Sequence, residues 1–152
     1  MRLVRSPEAA IRYRRTPEEL ARPELSWARA DRAFFAAGAC HILAYCARRR
    51  WPSRQLEMVY LRPADGHGGH HVWASNGKIA FDFNGWCVEA KLIHANEEAC
   101  RAQASSWRYS LERIPCADVE AAFRSRRLRV PSEFPGDVLA RAEAYIAHMT
   151  RA

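Results

Sequence analysis

Three residues of this chain have the types and the order of a nucleophilic site: Cys40, His71 and Asp82. A thiol becomes a useful nucleophile only as thiolate, which needs a base beside it and a positive potential around it. Cys40 follows Gly38-Ala39 and opens the apolar run Cys40-His41-Ile42-Leu43-Ala44-Tyr45-Cys46-Ala47, which ends in Arg48-Arg49-Arg50. That run reads as a mostly buried helix with a cationic C-terminus. Cys40 then sits in its first turn, where the helix dipole lowers a thiol pKa and unsatisfied backbone N–H groups can hold an oxyanion.

The base and its partner come from a hairpin. His70 to Ser75 and Lys78 to Phe83 alternate as strands and are joined by Asn76-Gly77, the strongest short-range hairpin signal. With those two residues as the loop, cross-strand partners have numbers summing to 153, and His71 falls directly opposite Asp82. Directly opposed side chains share a face, so the carboxylate fixes the tautomer of the imidazole and stabilises its cation. His70 points to the other side, and His41 projects elsewhere on its helix.

Gly38-Ala39-Cys40 at the head of a buried helix, His71-Val72-Trp73 on a strand and Asp82 on the next resemble the Cys, His, Asp order of the papain-like fold. The His-x-Trp run looks most like its transglutaminase-like branch; arylamine N-acetyltransferases and NlpC/P60-like peptidases share the order. The resemblance spans residues 34 to 86. It implies a cysteine-bearing helix packed on an antiparallel sheet, thiolate attack on an amide or ester carbonyl, and an acyl-enzyme resolved by water or an amine. Two departures accompany it. His71 and Asp82 are only eleven residues apart, and no Gln stands shortly before Cys40, where Asp31, Arg32 and Phe34 to Ala37 fill the stretch. Backbone amides, Gln55 or Asn84 are the candidate oxyanion donors.

The remaining residues of interest have plainer readings. Cys46, Cys87, Cys100 and Cys116 are expected to be structural, and His94 and His148 have no partner visible in the sequence. Trp73, Phe81 and Trp86 are expected in the core or as groove walls, with Trp86 as a candidate lining of the substrate cleft. Asp65, His67, His70 and His71 crowd into a glycine-rich stretch and form the competing metal-site reading. Their spacing matches no helical ligand motif, so no metal or cofactor is expected; the loop reads as a mobile rim over the site.

The elements around the site define class α+β: helices packed on a small antiparallel sheet, in one domain with helical flanks on both sides of the core. Short helices are expected after Ser6-Pro7 and Thr16-Pro17, then a helix from Ser26 to Phe35, each begun by a capping or proline residue. Gln55 to Arg62 reads as a strand, Glu89 to Gln103 as partly helical, and Trp107 to Ile114 as a strand. Pro115 to Arg127 and Gly136 to Met149 read as helices. The 152 residues fit a single domain.

The net charge of +7 is uneven. Residues 1 to 54 hold twelve Arg against five acidic residues, 55 to 123 hold six basic against nine acidic, and 124 to 152 hold six Arg against three acidic. A solvated basic face is the plain reading and an acidic partner at the Arg-rich ends the sharper one; nucleic acid is not the expected partner. No apolar run spans a membrane, no signal peptide is evident, and the five cysteines lack close pairing, which together predict a reduced cytoplasmic protein; export without a cleavable signal stays compatible. The expected activity is that of a cysteine hydrolase or transferase acting on a protein or peptide amide: peptidase, amidase or deamidase, with transglutaminase or N-acyltransferase chemistry as the close variant. A catalytically inactive binding module using its Arg-rich ends is the alternative from another class.

Overall fold

In the computed structural model, which describes residues 1 to 151, five antiparallel strands form one sheet between two helical layers. The strands are β1 (Glu57–Pro63), β2 (His71–Ser75), β3 (Ile79–Asp82), β4 (Gly85–Val88) and β5 (Tyr109–Ile114), in the order β4-β3-β2-β1-β5. The helices are α1 (Pro17–Ala21), α2 (Pro23–Trp27), α3 (Asp31–Ala36), α4 (Cys40–Arg50), α5 (Glu89–Gln103), α6 (Val119–Ser125) and α7 (Val138–Met149). The class is α+β with an open antiparallel sheet. No described helix is long and apolar enough to cross a membrane.

Alternation along the strands divides the core. Met58, Tyr60, Val72, Ala74 and Phe81 face α3, α4 and α7, while Leu61, Trp73, Ala80 and Cys87 face Leu92 and Cys100 of α5 and Trp107. Both faces are covered, so β2 is buried at every position, including the polar His71 and Ser75 at its two ends. α4 lies across β2 with α7 packed on it, which explains why Ile42, Leu43, Ala44, Cys46 and Ala47 are all buried.

Several expectations are corrected by tertiary hydrogen bonds. After Ser6-Pro7 the chain stays extended up to a single 3-10 turn at Ala10–Tyr13. The Glu8 and Ala10 N–H groups donate to the side chains of Asn84 and Asn96 (2.9 and 3.1 Å) instead of entering a helix. The helix expected from Ser26 to Phe35 is two helices, α2 and α3. Arg141 of α7 donates to the carbonyls of Trp27 and Arg29, both at 2.7 Å, so the break is held by an arginine in place of helical N–H groups. The four-residue strand β4, which pairs with β3 from Ile79↔Val88 to Asp82↔Gly85, was not expected.

The β2–β3 hairpin turns one residue later than the Asn-Gly signal implies. Its rungs are Ala74↔Phe81 and Ser75↔Ala80, so partners sum to 155 instead of 153. Asn76 is not a central turn residue. Its backbone N–H donates to Ile79, closing the loop around Gly77-Lys78, and its side-chain oxygen accepts from the N–H groups of Lys78 and Ile79, both at 3.0 Å. An Asx cap on the turn thus replaces the expected pair of positive φ angles, and only Gly77 keeps one, at 93°.

Candidate active site

The β2–β3 rungs end at Ala74↔Phe81, and continuing their register along the strands sets Asp82 opposite Trp73, not opposite His71. A shift of two preserves the face of every side chain, so His71 and Asp82 become diagonal neighbours. Diagonal Cβ atoms are about 7 to 8 Å apart, a span that an imidazole and a carboxylate bridge. His71 Nε2 lies 2.9 Å from Asp82 Oδ2, and because the carboxylate only accepts, Nε2 carries the proton and donates. Nδ1 of His71 is buried with no hydrogen-bond partner.

Asp82 is itself held. Its Oδ1 accepts from the backbone N–H of Asn84 (2.8 Å) and from Asn84 Nδ2 (3.1 Å). Asn84 Nδ2 also donates to the Glu8 carbonyl at 3.1 Å, and Asn84 Oδ1 accepts from the Glu8 N–H and from Arg32 (3.1 Å). Arg32 pairs with the Glu8 carboxylate and donates to the Phe83 carbonyl at 3.3 Å. The carboxylate–imidazole pair therefore rests on a frame contributed by the N-terminal segment, α3 and the β3–β4 turn.

Cys40 lies at the start of α4, where Ile42 and Leu43 both donate to the Ala39 carbonyl. The N–H groups of Cys40 and His41 precede the first helical donors and face the positive end of the dipole. Burial pushes the Cys40 thiol up, but the imidazoles of His41 and His71 outweigh it and bring it down to about 6. His71 moves the opposite way. Burial disfavours its cation, and the hydrogen bond to Asp82 with the neighbouring Cys40 outweighs burial and raises it to about 9. Those directions are the ones a thiolate–imidazolium pair requires. Cys46 and Cys87 are pushed up to about 12 and Cys100 also upward, chiefly by burial.

Cys40 is 8% exposed, Asp82 2% and His71 0%. Of the three, Cys40 alone lines a cleft with a volume of about 790 Å³. The thiol-bearing residue reaches the cleft, and the buried His–Asp pair does not line it. His41 lines the same cleft, contrary to the expected projection away from Cys40, and lies 2.6 Å from the Arg129 carbonyl through Nε2.

The other candidates are placed elsewhere. Gln55 is exposed in the turn beyond the C-terminal end of α4, opposite to the end that carries Cys40, and does not line the cleft. Asn84 holds Asp82 and does not line the cleft. Trp73 is fully buried on the α5 side, donating to Glu89 at 2.9 Å, and Trp86 packs on Trp51 and Phe81 beneath Arg54. The crowded Asp65, His67, His70 and His71 do not converge: Asp65 pairs with Arg108, His70 packs edge-on against Tyr60, and His71 is committed to Asp82. Among the described residues no group of three or more His, Cys, Asp or Glu is arranged to hold a metal ion. The glycine-rich loop is pinned, because Trp107 Nε1 donates to the Gly68 carbonyl at 3.0 Å.

Sequence reasoning missed Arg32, whose partners lie 19 to 52 residues away. It also missed Arg15 and Arg129, which flank Gly38 just before Cys40. No local signal marks any of the three. Scans of protein-family models, of curated proteins and of solved structures find nothing that matches this chain.

Proposed function

We propose that this protein is a cysteine-dependent acyl-transfer enzyme of papain-like, transglutaminase-like type, acting on an amide in a protein or peptide. One observation carries the reading: His71 is tied through Nε2 to Asp82 and keeps its buried Nδ1 free, beside a thiol at a helix N-terminus. The neutral tautomer that this bond selects has its lone pair on Nδ1, the atom that takes the Cys40 proton.

The steps follow from the positions. The thiolate attacks the carbonyl carbon, and the oxyanion is met by the N–H groups of Cys40 and His41. As the C–N bond breaks, the proton on His71 Nδ1 passes to the departing nitrogen, leaving a thioester on Cys40. Water or an amine then gives its proton to Nδ1 and attacks the thioester, and the sulfur leaves as thiolate. Water makes the reaction hydrolysis or deamidation; an amine makes it transglutamination or N-acyl transfer. With His71 fully buried, it exchanges protons only with groups seated on Cys40.

The test is alkylation by iodoacetamide across pH, with mass spectrometry to locate the label, in the wild type and in His71→Ala. At pH 7 Cys40 is expected to label at least about tenfold faster than the other four cysteines, with its rate rising through about pH 6. In His71→Ala that preference is lost and the rise moves toward ordinary thiol values. A Cys40 no faster than its fellows, or indifferent to His71, would sink the catalytic reading in favour of a binding module.

A further inference from the structure

The cleft above Cys40 is cationic on three sides. Arg14 and Arg15 come from the N-terminal segment, Arg62 from β1, and Arg126 and Arg127 from the end of α6; no Asp or Glu lines it. Arg62 and Arg126 share one carboxylate, Glu112, at 2.9 and 2.8 Å. Arg14 donates to neutral Gln103, and among the described residues neither Arg15 nor Arg127 has a carboxylate within ion-pair distance. A smaller recess of about 230 Å³ shares Gly38 and His41 with the cleft and adds Arg129. Glu19 borders this recess, but its carboxylate is engaged by Arg29 (3.2 Å) and by the Thr16 N–H (2.9 Å).

Arg15 and Arg129 converge next to the nucleophile. A Cβ placed on Gly38 would stand 3.3 Å from both guanidinium groups. Two like charges packed together and partly withdrawn from water repel, and burial and this repulsion outweigh the nearby Glu133 carboxylate and bring Arg129 down to about 10. Such an arrangement is unfavourable in the empty protein and becomes favourable when an anion sits between the cations. Arg is the residue suited to this task, because its planar fork meets carboxylate oxygens in pairs.

We propose that the acyl donor is an acidic polypeptide segment, with carboxylates flanking the amide presented to Cys40. The proposal rests on the reading of Cys40 as nucleophile and names the substrate class. Cations spread over three walls and a recess match several separated negative charges along an extended chain, not one compact anion. Ile11, Leu20 and Leu128 supply apolar contact between them. A nucleic acid fits less well, because single strands are held by stacking on several exposed aromatic rings, whereas Tyr60 and His41 are each 2% exposed and His70 alone among the cleft's rings is open to solvent.

The experiment has two readouts on the full chain. In the first, iodoacetamide labelling of Cys40 at low salt is measured with an alternating Glu-Gly octapeptide, with its Gln-Gly counterpart, and with an oligothymidylate of similar length. The Glu-Gly peptide is expected to slow labelling several-fold, the Gln-Gly peptide not at all, and about 0.5 M salt to remove the protection. Arg15→Gln should abolish it, and Arg127→Gln, at an exposed position, should weaken it even if Arg15→Gln folds poorly. Equal protection by both peptides, protection by neither, or stronger protection by the oligonucleotide would overturn the proposal.

In the second readout, fluorescence anisotropy follows a dye-labelled Glu-Gly peptide without reference to thiol reactivity. Salt-sensitive, Arg15-dependent binding to a protein whose Cys40 is unreactive would uphold the acidic ligand and reject the catalytic reading. A reactive, His71-dependent Cys40 without such binding would do the reverse.

Discussion

Asn84 shows how much of this site lies one residue away from the chemistry. Its side chain contacts Asp82, Glu8 and Arg32, so it fixes the carboxylate that fixes the imidazole. Asn84→Ala keeps the backbone N–H to Asp82 and removes everything else. Cys40 labelling at pH 7 is expected to fall several-fold in that variant, while Gln55→Ala, at an exposed position far from the cleft, leaves the rate unchanged. Asp82→Asn tests the pair directly. The carboxylate stabilises the imidazolium, so its loss lowers His71 from about 9 and, by weakening the cation beside the thiol, raises Cys40 from about 6. The pH range over which thiolate and imidazolium coexist should therefore narrow from both sides, read as the two limbs of the activity or labelling profile. Cys40, His71 and Asp82 were legible because each has a local signature: a glycine before a buried helix, and two strands joined by Asn-Gly. Arg32 and the re-assigned role of Asn84 were not, because their partners come from segments remote in sequence.

At the scale of elements, the hairpin was read correctly in face and wrongly in register. Parity saved the His71–Asp82 pair: partners summing to 153 or 155 both place the two on one side, whereas a slip of one would have parted them. The error arose because Asn76 has two uses, as a positive-φ turn residue or as an Asx cap, and the sequence does not say which. The glycine-rich loop carries a similar lesson, since glycine content suggests mobility while here it permits close packing. Gly69 has φ 102°, and a Cβ on it would stand 2.7 Å from Cys100 Sγ. Gly69→Ala is therefore expected to cost about 1 to 3 kcal/mol, or about 2 to 4 °C in Tm per kcal/mol for a chain of this size. Gly68→Ala, with open space at its Cβ and no positive φ, should be close to neutral in the same thermal melts. Equal losses from the two would mean that the loop is not pinned as described.

Across the whole molecule, the charge pattern and the N-terminal segment belong together. The sequence places the Arg excess at the two ends of the chain, and the fold brings Arg14 and Arg15 to the same cleft as Arg126 and Arg127. That convergence was not legible, because it depends on how the helical flanks fold back over the sheet. The N-terminal segment does more than contribute cations. Val4 bridges to Cys87 beside β4 with its N–H 2.8 Å from the Trp86 carbonyl, Glu8 joins Arg32 and Asn84, Ala10 meets Asn96, and Ala10, Ile11, Arg14 and Arg15 then wall the cleft. One strap thus secures the sheet edge, the frame behind Asp82 and one wall of the cleft at Cys40. Glu8 is its central clasp, receiving Arg32, Arg12 and the Tyr13 hydroxyl, and those partners hold its carboxyl below the usual range. Glu8→Ala leaves the partly buried Arg32 without its carboxylate, for which a loss of about 1 to 2 kcal/mol is expected, or roughly 2 to 8 °C in Tm. If the strap couples stability to chemistry, the same variant lowers Cys40 labelling at pH 7 well below the melting transition, and Glu8→Gln, which keeps a hydrogen-bond acceptor, restores part of both. Lower Tm with unchanged Cys40 reactivity would reduce the strap to a structural tie.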